Sequence, residues 1–245
     1  MTIAFDHLVL LVNDLDAAAR DFAALGFTVR ERADTSHGST AFRFVPFADG
    51  SYILLTAFTS DAGRQGHRLG PVMDAGEGWA DYSFVVPDAT AAAAALSKAG
   101  FAARGPVPVA NVLAGGERWA LDLLMTGRGS GGDVALPFLV SDVEGRGHRI
   151  PGPATHANGA SGIAGLSVST GNPDLVRRTL AAIGGGVEGD RVIFGRGHVD
   201  ILPLDAPQAR TGGGIVSVTL TGSADRDLDA GLTHGAPLRI ERGAK

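Results

Sequence analysis

Three segments of the chain align without gaps, and this self-similarity constrains the fold more than any local motif does. They are FDHLVLLVNDLDAAARDFAALGF at residues 5–27, WADYSFVVPDATAAAAALSKAGF at 79–101 and IAGLSVSTGNPDLVRRTLAAIGG at 163–185. The second and third lie 74 and 158 residues after the first (79 and 163 against 5). Each opens on a β-rich run, passes a polar break, continues with helical spacing and stops at glycine. The breaks carry Asp14, Asp88 and Asn172, residues whose side chains cap helix N-termini. The stops Gly26, Gly100 and Gly184 suit the left-handed position that follows a helix. In the first repeat Leu15, Ala18, Phe22 and Leu25 recur at helical spacing and define one buried stripe.

Short extended runs separated by turn residues follow each helix. They fall at 28–32, 40–46 and 51–58, at 102–104, 118–125 and 135–141, and at 186–188, 191–195 and 198–204. Each unit therefore reads βαβββ. A fourth, incomplete unit is expected, with a strand at 214–221, a poor helix at 224–232 and a strand at 238–241. Residues 143–161, rich in Gly, Pro and His, read as a linker. The expected organisation is a pair of modules over 1–142, the linker 143–161, and the third module with the incomplete fourth over 162–245.

Composition narrows the function classes. Of 245 residues, 44% are hydrophobic and 19% charged, enough apolar material for a packed core. Twenty-one basic residues against 26 acidic leave a net charge of −5 with no basic tract, which argues against nucleic acid as a partner. The absence of Cys excludes disulfides, thiolate nucleophiles, iron–sulfur clusters and Cys-type zinc sites. The longest apolar stretch, around 89–96, is far short of the ~20 residues that span a bilayer. Asp6 and His7 interrupt the start of the chain before a signal-peptide core forms. A soluble, cytoplasmic protein is expected. It would be a monomer if modules pair within the chain, or a homodimer if edge strands of the fourth unit pair two chains.

Paired βαβββ modules that begin Asp-His-hydrophobic and end a helix at Gly-Phe resemble the vicinal oxygen chelate superfamily. Its members include glyoxalase I, extradiol dioxygenases, methylmalonyl-CoA epimerase and drug-resistance proteins. The first repeat, HGSTAFRF followed by DGSYILLTAF, LPFLVSDVEGR and HANGASGIAGL resemble its glyoxalase-like domain family, over roughly residues 3–204. The resemblance implies an α+β fold of tandem βαβββ modules, the glyoxalase/bleomycin-resistance/dioxygenase-like fold. Cupped mixed sheets would carry helices outside and a ligand cavity on the concave side.

In such families a metal-ligating His sits early in the first strand and a Glu in the last strand of a module. The first position here is His7, with Asp81 and Gly165 at the equivalent places of the next two units. Where relatives show Tyr-Ile-Glu-Leu, this chain has Leu54, and the second unit has Ser141; Asp200 of the third unit has no His to accompany it. With carboxylates replaced at two ligand positions, no tightly bound cofactor is expected. The alternative is a divalent-metal lyase, isomerase or dioxygenase, using Zn, Mn, Ni, Fe or Mg, with His7 and Asp81 as ligands. The plain alternative for that pair is a buried histidine hydrogen-bonded to Asp81.

Strand alternation assigns the cavity face. Val9 and Ser83 share it with His7 and Asp81, Tyr52 and Thr56 flank Leu54, and Leu139 adds an apolar wall. Arg43, opposite Phe42 and Phe44, is expected to point inward, as are Arg118 and Asp122 opposite Trp119, Leu121 and Leu123. The expected site thus has His7 and Asp81 as catalytic residues. Arg43, Tyr52, Leu54, Thr56, Arg118, Asp122 and Ser141 would contact the ligand. Arg43 or Arg118 would clamp an anionic group, or else form ion pairs with Asp81 or Asp122. His37 would close over the cavity or be solvated, and His148, His156 and His198 carry weaker signals. The turn at 127–132 superficially resembles a phosphate loop but lacks its Lys-Ser/Thr ending and strand-to-helix setting. The expected function is binding of a small anionic or carbonyl-bearing molecule in the sheet cavity.

Overall fold

In the computed structural model, which describes residues 3–35 and 38–243, the chain forms two seven-stranded mixed sheets. The first contains β1 (Ala4–Leu11), β2 (Thr40–Pro46), β3 (Tyr52–Phe58), β4 (Gly78–Val85), β5 (Arg104–Val112), β6 (Arg118–Met125) and β7 (Phe138–Glu144). Its spatial order is β2-β3-β1-β4-β7-β6-β5. The second contains β8 (Gly162–Thr170), β9 (Gly186–Glu188), β10 (Arg191–Phe194), β11 (Gly197–Pro203), β12 (Gly214–Gly222), β13 (Arg226–Asp227) and β14 (Leu238–Arg242). Its order, β13-β14-β12-β8-β11-β10-β9, repeats the central pattern of the first.

The repeat determines where helices begin and end. Helices α1 (Leu15–Ala24), α4 (Ala89–Lys98) and α6 (Pro173–Ala182) follow β1, β4 and β8; α2 (Asp61–Gln65), α3 (Gly70–Asp74) and α5 (Arg146–Arg149) are short connections. The Asp14 carboxylate accepts the N–H groups of Asp16 and Ala17, Asp88 those of Thr90 and Ala91, and Asn172 that of Leu175. Gly26, Gly100 and Gly184 stand at φ of +87°, +77° and +104°, the region that glycine enters without a Cβ penalty.

One continuous core joins the sheets and draws on α1, α4 and α6. Phe84 of β4 is fully buried in it, its ring 4.7 Å from that of Phe5 and 4.2 Å from that of Phe194 in the second sheet. The Trp79 indole donates to the Pro237 carbonyl at 3.0 Å, a polar tie across the same junction. Among the described residues no helix is long and apolar enough to cross a membrane.

Several elements differ from the sequence reading. β5 extends to 104–112, because Pro106 and Pro108 are tolerated on an edge strand. Residues 28–32 form only a single bridge, Arg30 with Phe44. No helix forms at 224–232. There Asp225 accepts the Arg242 N–H and Asp229 that of Gly231, bonds that compete with helical ones. Residues 145–161 connect the sheets but are packed rather than loose. The Thr28 N–H donates to His156 Nδ1 at 2.9 Å and His156 Nε2 donates to the Pro46 carbonyl at 3.1 Å, between the rings of Phe27 and Phe47. Burial pushes that imidazole's pKa down and favours its neutral form.

Candidate functional site

The first sheet curls until its edges meet through an Asp34–Leu113 bridge and a hydrogen bond from the Thr35 N–H to the Val112 carbonyl. Its concave face encloses a cavity of about 240 Å³. Aromatic and aliphatic side chains line most of it, including Phe42, Phe44, Trp119, Leu121 and Phe138. The polar groups on the wall are His7, Tyr52, Arg149, Arg32, Arg68, His67, Thr40 and Thr56.

The floor is built on a β-bulge. β1 pairs with β4 antiparallel, His7 opposite Ser83 and Val9 opposite Asp81, with a register shift between Phe5 and His7. The extra residue lets Asp6 and His7 both act on the chamber side instead of alternating. Asp6 is fully buried and accepts from His7 Nδ1 at 2.7 Å, Arg149 Nη2 at 2.9 Å and Arg146 Nη1 at 2.7 Å. Arg149 also donates to the Tyr52 hydroxyl at 2.9 Å and to Asp142 at 2.7 Å. Burial alone would raise the Asp6 pKa, but the Arg149 and His7 groups beside it outweigh that and hold the carboxyl well below its usual range. Burial and the Asp6 charge push the Tyr52 hydroxyl up, so it keeps its proton.

A carboxylate accepts only, so Nδ1 of His7 must carry the proton it shares with Asp6. Nε2 is then the ring nitrogen available to the chamber. The imidazole is clamped in this orientation, stacked on Tyr52 with ring centroids 4.7 Å apart and held edge-on by Phe138 at 5.2 Å. On the wall, Arg68 from the α2–α3 connection pairs with Asp81 and lies 5.0 Å above the Phe138 ring. Arg32 is wedged between Phe44 and Trp119 at 5.0 and 4.7 Å, its Nε bonding Asp34 and its Nη1 the Arg149 carbonyl. His67 is half-buried, and burial together with Arg68 pushes its pKa down.

Of the residues expected at the site, His7, Tyr52, Leu54 and Thr56 line the chamber. Asp81 stands on the same face, but its partner is Arg68; His7 takes Asp6 instead. Arg43 points the other way and pairs with Asp16 and Glu31 at 3.0 Å each. Arg118 is exposed, 3.7 Å from Glu144. Asp122 lies opposite Ser141 in the ladder, and the Ser141 hydroxyl receives the Ala89 N–H at the start of α4, on the helix side. Leu139 belongs to the core between the sheets. The reason is common to all five: the curled sheet closes on itself, so the chamber face is the aromatic one. The charged alternates of the outer strands reach solvent past the ends of the helices. His37 lies outside the described residues.

Asp6, Arg149, Arg146 and Arg68 were not singled out from sequence. Asp6 was legible only as the neighbour of His7, and the arginines sit in segments with no periodic signal. In the second sheet the counterpart of His7 is Gly165, where a Cβ would stand 2.6 Å from the His198 ring. That sheet keeps Asp200, but Arg191 holds it at 2.6 Å.

The donors standing at the family's metal positions do not make a ligand set. Leu54 offers only carbon, Nδ1 of His7 is taken by Asp6, and Asp81 is neutralised by Arg68. Among the described residues no group of three or more His, Asp or Glu side chains is spaced to hold a metal ion. The side chains present do not fit a catalytic divalent centre, which typically needs three protein ligands.

Paired βαβββ modules in cupped sheets, with a chamber on the concave side, define the vicinal oxygen chelate class of fold. Residues 5–184 match the glyoxalase-like domain family, and the chain belongs to it. No curated protein matches the sequence. Among solved structures, a hypothetical protein from Staphylococcus aureus is similar over 98% of this chain and 100% of its own, with 13% identity and a TM-score of 0.72. A mutant of 4-hydroxymandelate synthase from Streptomyces coelicolor is similar over 90% of this chain and 71% of its own, at 13% identity and a TM-score of 0.55. A variant of methylmalonyl-CoA epimerase from Streptomyces coelicolor, in complex with 2-nitronate-propionyl-CoA, aligns with 59% of this chain and 100% of its own, at 21% identity and a TM-score of 0.42. At these identities the likeness is one of fold.

Proposed function

We propose that the protein binds a small carbonyl- or carboxylate-bearing molecule in the chamber of the first sheet, without a tightly held metal. His7 serves there as the group that exchanges a proton with the ligand. The observation that carries this reading is the Asp6–His7 pair at the base of a chamber whose walls are mostly aromatic and aliphatic. Asp6, ionised and buried, fixes the tautomer and orientation of the ring, so Nε2 is positioned to accept a proton. Arg68 supplies the complementary charge for a developing or resident oxyanion, and the aromatic wall accommodates an apolar body and excludes water.

A thermal-shift screen of small carboxylates, 2-oxo acids and aldehydes tests this, followed by calorimetry on hits. His7→Ala and Arg68→Ala should each weaken the best ligand about tenfold or more, the cost of one charge-assisted hydrogen bond. Exchange of the ligand's acidic C–H for deuterium, followed by NMR, should vanish in His7→Ala. Absence of any stabilising ligand, or equal binding by both variants, rules the reading out.

Metal content is a separate test. Protein purified without chelator or metal-affinity chromatography should carry far less than one equivalent of zinc, nickel, iron or manganese by elemental analysis. Near-stoichiometric metal that disappears in His7→Ala would instead establish the divalent-metal enzyme reading. A weak, exchangeable magnesium held by one carboxylate and waters would not survive gel filtration.

A further inference from the structure

The glycine-rich turn at 127–132 joins β6 to β7 and lies at the junction of the two sheets. Thr170 at the end of β8 donates to Asp133 at 2.6 Å, just after the turn. A Cβ on Gly213 would come 3.2 Å from Val134, and one on Gly214 would come 3.3 Å from Nη2 of Arg128. Arg210 reaches the same place from the β11–β12 connection and donates to the Trp79 carbonyl, two residues along β4 from Asp81. Arg68 arrives from the first sheet, bonded to Asp81 with its stem packed 3.3 Å from the Cβ position of Gly129. Arg104 adds a fourth guanidinium, 3.5 Å from the Gly129 carbonyl.

The charges here do not balance. Asp81 is committed to Arg68, and Asp133 to Thr170 and the Ala135 N–H. Arg128 has no hydrogen bond or ion pair among the described residues, and its Nε is buried with no partner at all. Burial pushes the pKa values of Arg128 and Arg210 below the usual arginine range, and Arg210 and Arg68 add to the effect on Arg128. A buried guanidinium N–H without an acceptor is costly and rare unless something else supplies the acceptor. The turn and the β11–β12 connection that carry the two arginines are open to solvent: Gly131 and Gly212 are exposed, and a Cβ at either would meet nothing within 4 Å.

We propose that this junction is a second ligand site, an oxyanion site in which Arg128 and Arg210 hold a phosphate group beside Arg68. Guanidinium forks match the geometry of phosphate oxygens; Arg128 is uncommitted and Arg210 gives one N–H to the Trp79 carbonyl, so the two together suit a dianion better than a single carboxylate. The turn contributes the arginine and glycine-bordered space, not the backbone cradle of a phosphate loop. The site is independent of the proton-transfer reading of His7, although Arg68 borders both.

Calorimetry with inorganic phosphate, glycerol phosphate and acetate tests the site, at low ionic strength and in the full-length protein. Wild type should bind phosphate more tightly than acetate. Arg128→Ala and Arg210→Ala should each weaken phosphate at least about tenfold, while His7→Ala and the surface variant Arg43→Ala leave it unchanged. Tighter binding of glycerol phosphate than of inorganic phosphate identifies a phosphomonoester as the source of the anion. The reverse order identifies the free ion. In phosphate-free buffer Arg128→Ala should melt no lower than wild type, since it removes an uncompensated charge. If Arg128→Ala does not fold, Arg128→Lys, which keeps the charge but loses the fork, should show the same loss. No binding by wild type, or equal binding by all variants, overturns the proposal, as does folded Arg128→Ala melting well below wild type.

Discussion

Arg149→Met should destabilise the protein by about 3 kcal/mol at neutral pH, more than most single substitutions, because it leaves the buried Asp6 carboxylate with too few partners. Arg149 and Asp6 are both almost fully buried and joined by two hydrogen bonds, at 3.0 and 2.9 Å. Arg146 and His7 remain, which is why the loss falls at the lower end for a broken buried pair. At 2–4 °C per kcal/mol the melting temperature should drop on the order of 10 °C. The pH dependence carries a definite sign. The carboxyl of Asp6 is held below its unfolded value of about 4. Its contribution is therefore complete above about pH 5 and is lost as pH falls through 4 towards the depressed native value. Denaturant titrations at pH 7, 5 and 3.5 should show the gap between wild type and variant narrowing at the acid end. A gap below about 1 kcal/mol at pH 7, or one that widens on acidification, would mean that Arg149 does not sustain Asp6. Replacing the pair together, Asp6→Asn with Arg149→Met, should recover part of the loss, since the stranded charge is then gone.

Phe84→Ala should cost about 3–5 kcal/mol, the range for removing a fully buried aromatic ring. The ring contacts Phe5 in its own sheet and Phe194 in the other, so the cavity would open in the shared core and not beneath one sheet. Both halves should weaken together and the protein should still unfold in one transition, observed alike by near-ultraviolet and far-ultraviolet circular dichroism. Two separated transitions, with only one displaced, would show that the halves are energetically independent.

The architecture was legible where the determinants are local. Asp14, Asp88 and Asn172 cap helices through their own next few N–H groups, and the glycines that end those helices need no distant partner. Alternation placed Tyr52, Leu54 and Thr56 correctly on the chamber side because β3 lies inside the sheet, flanked by β1 and β2. For Arg43, Arg118 and Asp122 the alternation holds but the faces are exchanged: Phe42, Phe44, Trp119 and Leu121 point into the chamber and the charged alternates away from it. Curling accounts for the exchange: the concave face gathers those four side chains, while Arg43 and Arg118 pair with carboxylates outside the chamber. Asp6 escaped notice since a bulge breaks the period-two rule at that residue. Arg149 carries no local signal for the site because Tyr52 and Asp6, its partners at the chamber floor, lie 97 and 143 positions earlier in the chain.

The position of α5 has a consequence for how such a protein can be divided. By its repeats the chain invites a cut after β7, which would free a pair of modules holding all seven strands of the chamber. The residue that neutralises the floor of that chamber is encoded beyond the cut, on the stretch leading to the second sheet. Repetition and self-sufficiency therefore part company here. A duplicated module pair copied without its trailing turn would inherit every strand of the chamber and an acid stripped of both its arginines, so the unit of inheritance for this site is longer than the unit of repetition.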